Sequence, residues 1–165
     1  MELRTILILM RCVGMKSKSK TTVIDGFNGD YFFLSNYYPC QVTYSDLTYR
    51  NSEAAFHAQK DLNRSREFTD LNPAEAKKLG RSVHLRPDWE QVKDQIMRDI
   101  LYSKFSQNKE LKEKLLQTKD ALLIEDNFWH DTYWGVCNGE GENKLGQLLM
   151  QVREQLKEQE TQSCK

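Results

Sequence analysis

Hydrophobic and polar positions in the first third of the chain follow the short period of β-strands. The apolar residues there are mostly β-branched or aromatic, and short turn signals interrupt them. We expect two short strands within 22–36 and a hairpin over 41–49, with Ser45-Asp46 as its turn. A short apolar run at 121–125 predicts one further, buried strand.

The first helices are predicted by their capping residues. Ser52 can cap the alanine-rich segment 51–62, whose straight-chain residues favour helix. Asn72 stands before a proline at the first helical position and a glutamate at the third, which is a capping-box pattern. Gly80 would end this second helix.

The later helices are predicted by their apolar faces. Asp88 begins one helix, 111–117 forms another, and Asn143 can cap the last. Residues at helical spacing that would face the core are Trp89, Val92, Ile96, Ile100, Leu145, Leu148, Leu149, Val152 and Leu156. The predicted fold class is therefore α+β, a mainly helical single domain with a small N-terminal antiparallel sheet.

The two ends of the chain differ in composition from the region between them. Residues 1–20 hold a short apolar run and the basic stretch KSKSK, and we expect them to form a flexible N-terminal extension in which Met15 is an alternative start. The run is too short for a membrane span and has poor signal-peptide flanks. The domain is predicted to cover 21–158, and the charged tail 159–165 to fray.

Charge and cysteine content narrow the function classes. Lysine plus arginine and aspartate plus glutamate each number 24, so the net charge is zero. Broad binding to a nucleic-acid backbone needs a basic surface, although a local basic pocket for phosphates remains compatible. The four cysteines form no CxxC pair, which favours free thiols and a cytoplasmic location.

Three polar residues of the first predicted helix share one face. Glu53, His57 and Lys60 stand at i, i+4 and i+7. The pattern fits a capping glutamate with an ion pair on a solvated face. It also fits a carboxylate that stabilises a cation or activates water near a helix N-terminus. Two ligands at i, i+4 could hold a metal, but nothing supplies a third at suitable spacing, so no metal is predicted.

The loop 130–146 is rich in glycine, acids and aromatic residues. Asp131 could form an Asx turn, or it could be a second carboxylate beside the ring of Trp134. Paired carboxylates are the usual equipment for cleaving a glycosidic bond. Gly139 and Gly141 could let the backbone cradle an anion at the following helix, or they could form a plain turn.

The aromatic run FFLSNYYP contains the polar pair Ser35-Asn36. These two side chains could hydrogen-bond a ligand or make an Asx or Ser/Thr turn. Trp89 follows a proline and an aspartate, where a tryptophan is more often a core anchor than a ligand platform.

Taken in order, several separate motifs resemble the NADAR family over about residues 22–157. The matching pieces are Phe33-Leu34-Ser35-Asn36, Tyr49 to Lys60, Leu79-Gly80-Arg81, Arg86 to Trp89, Lys104 to Asn108, Trp134-Gly135 and Gly141 to Arg153. One departure is Asn51, which stands where many relatives have a smaller residue, and we expect no effect on catalysis.

The resemblance implies an N-glycosidase that needs no cofactor. Substrates described for the family are ADP-ribose on nucleobases, notably guanine, and ribosylated intermediates of riboflavin biosynthesis. The catalytic positions fall on Glu53, Trp89 and Asp131. Substrate-binding positions fall on Ser35, Asn36, Lys60, Arg81, Trp134, Gly135 and Asn143.

Two carboxylates would then divide the chemistry. Glu53 would stabilise the oxocarbenium-like transition state or act as general base. Asp131 would position water and hydroxyls or protonate the leaving base, and the roles could be exchanged. Expected partners are a small nucleotide or ADP-ribosylated base, or ADP-ribosylated DNA or RNA, without a membrane or an obligate protein partner. A non-catalytic ADP-ribose-binding module remains the alternative.

Overall fold

A computed structural model describes residues 22–163 of the chain. Its helices are α1 Ser52–Ala58, α2 Pro73–Gly80, α3 Trp89–Gln107, α4 Lys109–Gln117 and α5 Lys144–Ser163, with 3₁₀ helices at Gly29–Leu34 and Leu62–Phe68. Its strands are β1 Val23–Asp25, β2 Val42–Tyr44, β3 Leu47–Tyr49, β4 Leu122–Ile124, β5 Asp126–Asn127 and β6 Val136–Cys137. The predicted α+β class is confirmed, and the predicted extension 1–20 lies outside the described residues.

The strands pair differently from the single N-terminal antiparallel sheet that we expected. Among the strands of residues 22–163, only β2 and β3 pair antiparallel; β1 pairs in parallel with β4, and β5 in parallel with β6. The hairpin turn at Ser45 and Asp46 is confirmed, and both residues adopt a positive φ as two-residue hairpin turns require. The β1–β4 pair joins segments far apart in sequence, so no local pattern could reveal it.

The second strand predicted within 22–36 is instead the 3₁₀ helix Gly29–Leu34. Gly29 has a φ of 51°, a conformation that β-strands do not contain. The N–H of Tyr31 donates to the carbonyl of Asn28, which closes the first turn. Phe33 and Leu34 are both buried, although neighbouring strand residues point to opposite faces. The apolar residues of this segment are therefore buried from a tight helical turn and not from a strand.

The cap of α1 is Asn51 rather than the predicted Ser52. Asn51 has an extended backbone, and its Oδ1 accepts the N–H of Ala54 at 2.7 Å. Its Nδ2 also donates to the carbonyl of Leu71 at 3.0 Å. The helix ends at Ala58, earlier than predicted, and the chain turns at Gln59 toward the second 3₁₀ helix. Asn51 thus fixes the helix that carries Glu53.

The core surrounds α3, which packs against α5, β2, α1 and α4. The apolar faces predicted for α3 and α5 are buried, except that Val92 is only partly covered. Full burial of one such side chain is worth roughly 1.5–3 kcal/mol. The capping box at Asn72 is also confirmed, since its side chain and that of Glu75 bond each other's backbone N–H.

The tail 159–165 is predicted to fray, and in the part of it that the structure describes α5 continues to Ser163. Tyr102 on α3 hydrogen-bonds Gln159, and Lys112 on α4 pairs with Glu160 at 2.9 Å. These contacts tie the last turns of α5 to the body of the domain. None of the helices between residues 22 and 163 has an apolar stretch of the length needed to cross a bilayer.

We expect Asn51→Ala to lower the free energy of unfolding by roughly 2 kcal/mol or more, because it removes a buried helix cap and leaves the partly buried Leu71 carbonyl without this partner. Asn72→Ala, which removes an exposed cap, should cost only about 1 kcal/mol. Urea denaturation would measure both variants. Equal losses would show that the partly buried hydrogen bond to Leu71 contributes nothing.

Candidate active site

One cavity of about 530 Å³ gathers most of the residues predicted to act on a substrate. Its walls come from the end of the first 3₁₀ helix, from α1, α2 and α3, from the segment after β4, and from the start of α5. The predicted residues that line it are Ser35, Asn36, Glu53, Lys60, Arg81, Trp89, Asp131 and Trp134.

Glu53 enters the cavity from the first turn of α1. Its backbone N–H donates to the carbonyl of Asn36 at 3.2 Å, which joins the helix start to the FLSN motif. Its Oε1 lies 3.1 Å from Nε2 of His57, and the two side chains are only 13% and 8% exposed. The predicted i, i+4 pair therefore exists, but it faces the cavity rather than a solvated surface.

His57 is held by the glycine of the LGR motif. A Cβ on Gly80 would lie 2.2 Å from Nδ1 of His57, so only glycine lets α2 approach this ring. Nδ1 is buried without a hydrogen-bond partner among the described residues. The ring nitrogen that contacts the Glu53 carboxyl group is therefore Nε2.

Asp131 is fixed by backbone groups of its own loop. Its Oδ1 accepts the N–H groups of Tyr133 at 3.1 Å and Trp134 at 2.8 Å. The side chain of Asn127 bonds both the N–H and the carbonyl of Asp131. The Asx turn is therefore real, and it holds a carboxylate on the wall of the cavity, so the two readings of this residue are compatible.

Three aromatic rings form one continuous wall. The ring of Phe56 lies 5.0 Å from Trp89 and 5.3 Å from Trp134, measured between centroids. Trp89 is only 5% exposed, so it supports the wall more than it offers a free face. Phe56 was not singled out from the sequence, although it lies within the Tyr49 to Lys60 motif.

Four cationic side chains line the same cavity, among them the predicted Lys60 and Arg81. Lys77 and Lys93 are additional and were not singled out from the sequence. Burial lowers the pKa of Lys60, an effect that the nearby Glu53 carboxylate opposes. Such a set can bind phosphate groups of a substrate.

The polar pair of the FLSN motif is positioned by α3. The ammonium of Lys104 donates to the Ser35 carbonyl at 2.8 Å, and burial lowers the pKa of Lys104 to about 8. Asn36 donates to the sulfur of Met97 at 3.4 Å, while its Oδ1 is buried without a partner among the described residues. That oxygen is free to accept a hydrogen bond from a ligand.

Gly135 and Asn143 do not line the cavity. The Asn143 side chain accepts the N–H of Glu125 and donates to the carbonyl of Leu123. A Cβ on Gly135 would lie 2.3 Å from the Glu125 carbonyl. Both residues therefore contact the backbone at the end of β4 and do not face the cavity.

The anion cradle considered for the glycine-rich loop does not form. The N–H groups at the start of α5 bond carbonyls of the loop: Glu142 to Thr132, Asn143 to Gly135, Lys144 to Tyr133 and Leu145 to Trp134. A helix N-terminus binds phosphate only when these groups are free. Gly141, with a φ of 148°, instead lets the loop pack closely against the Gly135 carbonyl.

Glu125 lines the cavity but escaped the sequence analysis, because it ends the apolar run 121–125. Its Oε2 is buried without a hydrogen-bond partner among the described residues. Burial, followed by the negative charges of Asp131, Glu53 and Asp126 in that order, raises the pKa of its carboxyl to about 7. The raised pKa is what distinguishes this glutamate, and it depends on three-dimensional surroundings that the sequence does not show.

Across residues 22–163, no group of three or more His, Cys, Asp or Glu side chains is arranged to hold a metal ion. The cavity combines carboxyl groups, cations and a wall of indole and phenyl rings instead. This combination is typical of a site for cleaving a glycosidic bond.

Comparison with known proteins supports glycosidase chemistry. The model of the family described as the NADAR domain matches residues 25–157. N-glycosidase YbiA of Shigella boydii serotype 4 (strain Sb227) is 42% identical over 133 residues, covering 77% of this chain and 82% of that protein. The NMR structure of Escherichia coli YbiA is similar with a TM-score of 0.78 and 36% identity, covering 93% of this chain and 96% of that one.

A riboflavin biosynthesis protein of Vibrio vulnificus (strain YJ016) is 39% identical over 132 residues, which are 76% of this chain but 36% of that longer protein. The chain belongs to the NADAR domain family, which confirms the resemblance drawn from its motifs. It is a hydrolase that cleaves N-glycosyl bonds.

The raised pKa of Glu125 makes stability depend on pH. The folded chain holds the proton to about pH 7, whereas an ordinary glutamate loses it near 4.5. Both states are protonated below the lower value, so stability falls as pH rises between the two, by roughly 3 kcal/mol in total. Glu125→Gln should therefore match the wild-type melting temperature at pH 4 and exceed it at pH 8.

Glu140→Gln changes an exposed glutamate of the neighbouring loop and is the matched control. Its melting temperature should differ from that of the wild type by the same small amount at both pH values. A Glu125→Gln variant that melts below the wild type at pH 8 would contradict the protonated carboxyl.

Proposed function

We propose that this N-glycosidase removes ADP-ribose from a modified nucleobase, guanine in particular, in a nucleotide or a nucleic acid. The observation that carries the proposal is that Glu53 and Asp131, from two different elements, line one cavity together with cations and a ring wall. The pyrophosphate of ADP-ribose suits the cations, and a flat base suits the rings. Free thiols at Cys40 and Cys137 favour a cytoplasmic setting.

The reaction needs negative charge beside the anomeric carbon. As the base departs, the ribose develops oxocarbenium character, which an anionic carboxylate stabilises. Glu53 is the candidate for this role and for accepting a proton from the attacking water, because Oε1 is oriented by His57. Asp131 is held by two backbone N–H groups and is suited to position water or ribose hydroxyls.

The alternative substrate class is a ribosylaminopyrimidine phosphate of riboflavin biosynthesis. The relative in Vibrio vulnificus that carries a riboflavin biosynthesis name favours this class. One panel separates the two: ADP-ribosylated guanosine alone and within DNA or RNA, other ADP-ribosyl nucleosides, and the ribosylaminopyrimidine phosphates, with released products identified by mass spectrometry. Binding of ADP-ribose without release of any base would instead indicate a non-catalytic module.

Glu53→Gln should reduce turnover of the ADP-ribosylated guanosine at least about a hundredfold, because it removes the charge while keeping the shape. Glu67→Gln is the matched control, since Glu67 pairs with Arg64 on the surface and does not line the cavity. Release of free guanosine would be followed by chromatography. Wild-type turnover by Glu53→Gln would remove Glu53 from the mechanism.

Lys60→Gln should raise KM at least about tenfold for a diphosphate-bearing substrate, because a hydrogen bond to a charged group is lost. Its effect on a nucleoside that lacks phosphates should be small. Steady-state kinetics on the matched pair of substrates tests this. An equal loss on both would show that Lys60 acts on Glu53 rather than on phosphate.

A further inference from the structure

Three carboxyl groups line the cavity, and they differ in the hydrogen-bond donors around them. Glu53 meets Nε2 of His57, and Asp131 meets two backbone N–H groups. Among residues 22–163, Glu125 has no such donor at Oε2, although that oxygen is buried. A buried carboxylate without donors is costly, whereas a protonated carboxyl is neutral and itself a donor.

We propose that Glu125 is the general acid of the reaction, the group that gives its proton to the departing base. This inference rests on the proposed function, since it needs an N-glycosyl bond that is cleaved in this cavity. It also assigns the task left open between Glu53 and Asp131, because Asp131 accepts two backbone N–H groups and Glu53 contacts Nε2 of His57.

The charges that act on Glu125 support a retained proton. Burial and the charges of Asp131, Glu53 and Asp126 together raise its pKa to about 7, close to the value that suits an acid working at neutral pH. The other titratable groups on the cavity walls come from the FLSN region and from α1, α2 and α3: Tyr37, His57, Lys60, Lys77, Arg81 and Lys93.

The backbone of Glu125 is fixed by the two predicted residues that lie outside the cavity. The amide of Asn143 accepts the Glu125 N–H at 3.0 Å. The Glu125 carbonyl accepts the N–H of Val136 at 2.8 Å, and Gly135 leaves the space for that contact. Asn143 and Gly135 are therefore positioning residues, which explains why the family motif includes them without direct access to a ligand.

The step balances without any further reactant. The bond between the anomeric carbon and the base nitrogen breaks, its electron pair goes to the base, and the proton of Glu125 neutralises the base. Water forms the new bond to the anomeric carbon and gives a proton to Glu53. Exchange with solvent then returns a proton to Glu125 and removes the one on Glu53.

The test is the pH dependence of kcat/KM, which reports the ionisations of the free enzyme. The probe is ADP-ribosylated guanosine, or the ribosylaminopyrimidine phosphate if the wild type hydrolyses that instead. Wild-type activity should fall above about pH 7, as Glu125 loses its proton. Glu125→Gln should lose about a hundredfold at neutral pH, and its residual activity should lack this alkaline fall.

Asp126→Asn provides a second variant that leaves Glu125 in place. Asp126 is exposed and does not line the cavity, but its charge raises the pKa of Glu125. Its removal should move the alkaline fall to lower pH without changing the plateau. This readout does not depend on how well Glu125→Gln folds.

The outcomes separate this inference from the proposed function. An alkaline fall that persists in Glu125→Gln, or that does not move in Asp126→Asn, overturns the role of Glu125 while the N-glycosidase activity stands. A wild type that releases no base from any substrate of the panel overturns the proposed function, and the general acid with it.

Discussion

The side-chain amide of Asn143 joins the start of α5 to the β4 strand through two hydrogen bonds at once. It does so from a backbone with a φ of 53°, a conformation that asparagine tolerates better than most residues. Glu125 lies at this junction, and the loop that carries Asp131 begins and ends there. The amide therefore determines where two of the three acidic groups of the cavity stand, although it does not reach the cavity itself.

Several buried polar atoms without hydrogen-bond partners also lie in the cavity. Each buried donor or acceptor without a partner costs roughly 1–3 kcal/mol, so a fold keeps few of them unless they serve a ligand. Three of those found among residues 22–163 belong to side chains of this one cavity: Asn36 Oδ1, His57 Nδ1 and Glu125 Oε2. Asn36 Oδ1 and Glu125 Oε2 fit contacts to substrate, whereas Nδ1 of His57 faces Gly80 and is a cost of orienting Glu53.

Local sequence patterns predicted what depends on local physics. The Asn72 capping box and the apolar faces of α3 and α5 follow from helix geometry, and the Glu53–His57 pair follows from i, i+4 spacing. Contacts between distant segments were beyond such patterns. The parallel pairing of β1 with β4 is one case, and Glu125 is another, since only its surroundings distinguish it from the end of an apolar run.

The acids of the cavity affect one another, and that coupling links the two halves of the chemistry. The negative charges of Glu53 and Asp131 favour a cationic transition state, and the same charges raise the pKa of Glu125. When a cationic sugar forms, it opposes their effect on Glu125 and lowers the affinity of that carboxyl for its proton. The proton should therefore become easier to give at the moment when the leaving base needs it. On the mechanism we propose, three carboxyl groups that line one cavity provide both the stabilising charge and the acid.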